Sequence, residues 1–135
     1  MALERTMATY AIADATLQSF LGSRIYCEGE VPQEVETPYC IYSQVSGSPL
    51  HSSQQAEVTT QARVQFEVIG FDFDQTREAA AQLRKFMHRY NWASASSISS
   101  VRMTNEYDDF APPDDGSEVG TYRVVQDYSV WHGTY

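Results

Sequence analysis

From Arg63 to Ile69 the chain alternates, with Val64, Phe66 and Val68 on one face and Arg63, Gln65 and Glu67 on the other. A period of two residues with one apolar side predicts a strand that buries one face and wets the other. Gly70 ends the run. Asp72, with Gln75 three residues on, offers a capping box for a helix, and Asp74 and Glu78 suit the positive end of its dipole. Ala79, Ala80, Leu83, Phe86, Met87 and Tyr90 then recur at spacings of three and four, the apolar stripe of a helix that runs toward Asn91. Arg77, Arg84, Lys85 and Arg89 decorate the remainder and gather toward the C-terminal end, where cations are favoured. The turn between strand and helix is short, so each can bury its apolar face against the other.

The same periodicities place the other elements. Residues 2–22 predict a first helix, striped by Leu3, Met7, Tyr10, Ala13, Leu17 and Phe20 and stopped by Gly22. Arg24 to Tyr26 is a short extended piece. The segment 28–38 holds Glu28, Glu30, Glu34 and Glu36 with Gly29, Pro32 and Pro38, and reads as an exposed loop. Tyr39 to Val45 is a strand, with Tyr39, Ile41 and Val45 opposite Cys40, Tyr42 and Gln44. Residues 46–59 form the most polar stretch and read as a long loop, a kind of connection that is either functional or disordered inside a compact domain. Ile98 to Tyr107 is a third strand, carrying Val101, Met103 and Tyr107 on one face. An acidic loop, 108–118, follows. Thr121 to Trp131 is the last strand, with Tyr122, Val124, Tyr128 and Val130 against Arg123, Val125, Asp127 and Ser129.

The expected fold is therefore α+β and two-layered, in the order α-β-β-α-β-β. It has one mostly antiparallel or mixed sheet with two helices on one face. If the second and third strands are parallel neighbours, their crossover is right-handed. At 135 residues the chain reads as a single domain over 1–135.

Composition narrows the function. A hydrophobic content of 42% and an aromatic content of 13% describe a globular domain. No apolar run approaches the roughly 18 residues of a membrane span. Glu4, Arg5 and Asp14 interrupt the N-terminal region, which argues against a secretory signal. Met7 offers an alternative start. Cys27 and Cys40 match no metal-binding or redox spacing and are expected to be reduced. A net charge of −9 argues against a surface that grips nucleic acid.

Catalytic chemistry finds no footing. The glycines form no phosphate-cradling fingerprint. His51, His88 and His132 match no zinc spacing, and the aspartates of 108–115 lack the alternation of a calcium loop. No nucleophile–base constellation stands out, so neither an enzyme nor a cofactor is expected. The strand aromatics Tyr39, Tyr42, Tyr122, Tyr128 and Trp131 suit a protein interface better than base stacking, because basic residues are not interleaved with them.

With this layout the chain resembles the tail-completion, or tail terminator, proteins of long-tailed bacteriophages. The likeness runs nearly end to end. It takes in the opening helix, the Pro38-Tyr39-Cys40-Ile41-Tyr42 strand, Val45-Ser46-Gly47-Ser48-Pro49 and Ala62-Arg63-Val64-Gln65-Phe66-Glu67-Val68. A helix beginning near 74–79 and a closing strand of the Tyr122-to-Val130 type complete it. The family has no catalytic residues to carry over.

The resemblance implies a virion protein at the head–tail junction, assembled in the host cytoplasm. It implies a self-closing ring, six copies in the family, that caps the tail tube, stops its polymerisation and meets the head-completion proteins. Genomic DNA would pass through the bore without specific binding, and no membrane is involved. Carboxylates lining the bore would repel phosphates within a Debye length of roughly 8 Å. Asp108, Asp109, Asp114, Asp115 and Glu118 are the first candidates, and Glu28, Glu30, Glu34 and Glu36 the second. Ser48, Pro49, Leu50, His51, Gln54 and Gln55 are candidates for the contact with the next subunit or the tube. Two other readings use the same surfaces. One is a small acidic inhibitor of a basic partner, which would form a small discrete complex. The other is a different neck component, such as a head-closure protein.

Overall fold

The computed structural model describes residues 3–50, 59–95, 98–112 and 120–133. Five strands form one sheet: β1 (Ile25–Cys27), β2 (Tyr39–Leu50), β3 (Thr59–Gly70), β4 (Ile98–Ala111) and β5 (Thr121–Gly133). Their spatial order is β1-β2-β3-β5-β4. β1 lies parallel to β2, and every other pair is antiparallel. The helices are α1 (Leu3–Ile12), α2 (Ala15–Leu21), α3 (Phe73–Arg89) and the short α4 (Trp92–Ala95). Their buried residues join one core with the strand residues of a single face, which makes the α+β two-layer arrangement expected.

The centre of that core is the strand–helix pair on which the sequence pattern is clearest. Val64, Phe66 and Val68 of β3 are fully buried, as are Ala79, Leu83 and Phe86 of α3. Asp72 caps α3 by accepting the Gln75 N–H at 2.8 Å. Gly70 lets the helix start close to the strand, because a Cβ there would strike the Thr76 hydroxyl. Phe66 also touches Tyr42 on β2 and Tyr128 on β5, each with ring centroids 5.9 Å away, so three adjacent strands share an aromatic row.

Three expected boundaries change. The helix over 2–22 is broken, because Asp14 stops α1 and caps α2, accepting the Leu17 N–H at 2.9 Å. Arg89 holds the same carboxylate from α3 at 2.8 Å, which fixes the break against the neighbouring helix. The segment 46–59 is not a loop throughout: β2 continues to Leu50 and β3 begins at Thr59, with Ser46 opposite Arg63 and Leu50 opposite Thr59. Backbone ladders need no apolar pattern, so a polar hairpin arm escapes a reading based on hydrophobic alternation. The acidic loop likewise starts later than 108, because β4 runs to Ala111.

β4 carries two bulges, between Ile98 and Ser100 and between Met103 and Asn105. The second inserts one residue and reverses which face each later side chain takes. Met103 therefore pairs with Tyr128 of the core face, whereas Tyr107 pairs with Val125 on the opposite face. Tyr107 does not share a face with Val101 and Met103 as its spacing suggests. The crossover also differs from the simplest form. α3 links β3 to β4, which are parallel but not adjacent, and β5 lies between them.

Candidate functional site

The sheet face away from the helices is covered by polar side chains laid across β5. Asp127 is 3% exposed and accepts from Arg63 Nη2 at 3.1 Å and Gln65 Nε2 at 3.0 Å. Gln61 donates to the Ser129 hydroxyl at 2.9 Å. Arg123 spans Glu67 at 3.4 Å and Asp109 at 2.8 Å. Gln61, Arg63, Gln65 and Glu67 come from the alternation of β3 and Arg123 from β5, and together they shield Val125 and Asp127 from water. The face is tied together by these pairs, and Tyr107, 45% exposed, stands on it.

The helix-side network is drier. Gln126, fully buried, donates to the Ala80 carbonyl at 2.8 Å and to Glu106 Oε2 at 2.7 Å, and accepts from the Tyr128 hydroxyl at 2.6 Å. Arg84 of α3 then pairs with Glu106 at 2.8 Å. Burial pushes the Tyr128 phenol well above its ordinary 10.0, and the Glu106 charge adds to the rise. The Cys40 thiol, wholly buried, is raised in the same way above 9.0 and stays protonated at neutral pH. Cys27 and Cys40 are both free. Among the described residues no cluster of three His, Cys, Asp or Glu side chains could hold a metal ion. None of the described helices is long and apolar enough to cross a membrane.

The candidate channel carboxylates are separated by the fold. Asp108 and Asp109 stand on β4 with side chains on opposite faces, Asp108 paired with Arg77 of α3 and Asp109 with Arg123. Asp114, Asp115 and Glu118 lie outside the described residues. In the other acidic run all four glutamates are exposed. Glu30 pairs with Arg5 at 3.0 Å and Glu36 only loosely with Arg24 at 3.8 Å. Of the contact candidates, Ser48, Pro49 and Leu50 lie at the end of β2, paired with Gln61, Thr60 and Thr59. His51, Gln54 and Gln55 lie outside the described residues.

Two surface features were not legible in the sequence. At the end of the molecule where β3 turns into α3, Phe71, Phe73 and Phe110 are each about half exposed. Tyr122 packs between two of them, 5.5 Å from Phe73 and 4.7 Å from Phe110. These rings come from three elements, so no window of sequence groups them. On the edge beside β4, a groove of about 610 Å³ opens between that strand and α3. Met87, Val101, Met103 and Tyr128 give it an apolar lining, and Lys85 and Arg102 also line it. Adjacent basic residues at Arg84-Lys85 were a visible signal, but the apolar floor depends on β4 lying beside α3.

Comparison with known proteins follows the same outline. The model of the family described as "Tail completion protein gp17" matches residues 5–133, nearly the whole chain. A chain of a solved structure, titled "Virion of native gene transfer agent (GTA) particle", superposes with a TM-score of 0.66. That alignment covers 97% of this chain and 96% of the other at 15% sequence identity, a likeness of fold. No curated protein matches the chain.

Proposed function

The chain belongs to the tail completion protein family, and from that premise we propose that it closes the head-proximal end of a phage tail as a ring. It is a structural tail protein. In our reading, identical copies, six by the family's habit, sit side by side on the last layer of tube, block further addition of subunits and present their far side to the head-completion proteins. The observation that carries this reading is the family match over 5–133.

Two features of the subunit support it. Both outer strands of the sheet, β1 and β4, leave an edge without a partner strand among the described residues. Such edges present unpaired backbone groups to which another chain can pair. The half-exposed rings at one end supply apolar contact area that a lone subunit leaves in water.

We further propose that an acidic run faces the DNA path and repels its phosphates. Arg77 and Arg123 balance Asp108 and Asp109, so in that first group the unbalanced charge would have to come from Asp114, Asp115 and Glu118. The junction of virus head and tail is the expected location, with assembly in the host cytoplasm. Electron microscopy of particles assembled without this chain tests the reading. Tails that overshoot their normal length and fail to join heads are expected. Tails of normal length, joined to heads, would overturn it.

A further inference from the structure

Most cations of this acidic chain are already spent. Seven of its nine Lys and Arg residues sit in ion pairs within the fold. Lys85 and Arg102 have no such pair among the described residues, both are exposed, and both line the groove between α3 and β4. Here the two uncommitted positive charges flank an apolar floor. A groove of this make suits a strand of chain carrying carboxylates beside aliphatic side chains.

The opposite edge of the same molecule carries such a segment. Residues 28–36 leave β1 with Glu28 and Glu34 exposed and without an ion pair among the described residues. Val31 lies between those carboxylates in sequence, Val35 directly follows the second, and both are partly exposed. β1 and β4 are the two ends of the strand order, so groove and segment cannot meet within one copy. They can meet between copies, and the contact is heterologous, as ring closure requires. Glu30 is held by Arg5 of α1, which keeps the segment on the helix side of the sheet, the layer in which the groove opens.

Resting on the ring reading above, we propose that the groove of one copy receives residues 28–36 of the next. Lys85 and Arg102 face Glu28 and Glu34, and Val31 and Val35 cover Met87, Val101 and Met103. The register adds a geometric condition. The row through Tyr42, Phe66 and Gln126 reaches β4 at Glu106, three or four residues from the groove. At about 3.4 Å per residue the neighbours must therefore be staggered or tilted by roughly 10–14 Å along the strands.

Lys85 is the sole lysine of the chain, which makes a direct test available. Unlabelled and 15N-labelled full-length chains are mixed, concentrated, and checked for rings by native mass spectrometry and electron microscopy. A carbodiimide then joins amines to touching carboxylates. Mixed-isotope peptides linking Lys85 to Glu28 or Glu34 are expected. Rings whose Lys85 couples only within a copy, or only to other carboxylates, would overturn the groove pairing while leaving the ring intact. A chain that never self-associates, alone or on tails, would overturn both readings.

Charge exchange gives a second arm. K85E/R102E and E28K/E34K should each weaken assembly by about tenfold or more. Mixing the two variants should restore it, because every contact in an alternating ring then joins opposite charges. Loss without restoration in the mixture, with both variants folded by circular dichroism, would count against the pairing.

Discussion

The two faces of the sheet bury the same strand by different means. On the helix side, Val124, Gln126, Tyr128 and Val130 of β5 disappear under α3 and its apolar stripe. On the other side, Val125 and Asp127 are nearly as inaccessible, yet none of the described helices covers them. Arg63, Gln65 and Arg123 lie over them instead, tied to Asp127, Glu67 and Asp109. One face is closed by packing and the other by the protein's own polar side chains. The second kind of cover is easier to rearrange, since long side chains can exchange a partner on the same chain for one on a neighbour.

The difference should appear first in stability. Phe66→Ala removes the ring shared by three strands on the packed face, and should cost about 3–5 kcal/mol in urea unfolding. A cost below about 1 kcal/mol would mean that this face is not the tightly packed one. Alkaline titration probes the same side. Tyr128 and Cys40 both titrate higher in the folded chain than their ordinary 10.0 and 9.0. The folded state therefore holds their protons longer than the unfolded state. Their contribution is whole below about pH 9 and is lost as pH rises, by about 1.4 kcal/mol per pH unit for each group. Thermal melts from pH 7 to 11 should show this fall, and Tyr128→Phe should flatten it. On the outer face, Asp127→Ala should cost less, about 1–3 kcal/mol, because the half-exposed Arg63 can turn to water. A loss as large as that for Phe66→Ala would erase the distinction between the faces.

Local signals in the chain were read at the scale on which they operate. The alternation of Val64, Phe66 and Val68, the Asp72 cap and the stripe ending at Tyr90 are each contained in one element, and each lies where its pattern places it. What escaped depends on partners remote in sequence. Asp14 reads as one more helical residue until Arg89 is beside it. Tyr107 changes face because of a bulge whose cause lies in the pairing of β4 with β5. Ser46 to Leu50 pair with Thr59 to Arg63 through the backbone, Pro49 lacking only its N–H, so no side-chain pattern marks the ladder. The groove beside Lys85 likewise exists only once α3 and β4 are neighbours. No charge pattern along the chain distinguishes Lys85 and Arg102 from the seven cations already paired.

The position of β5 has a consequence for manufacture. It follows the other four described strands in the chain, yet it occupies the gap between β3 and β4. A product cut off before Thr121 would leave both of those strands unzipped on the gap side and Phe66 without Tyr128. Such a fragment would also lack Tyr128 from the lining of the groove between α3 and β4. The order of the strands thus makes closure of the sheet wait for the fifth of them.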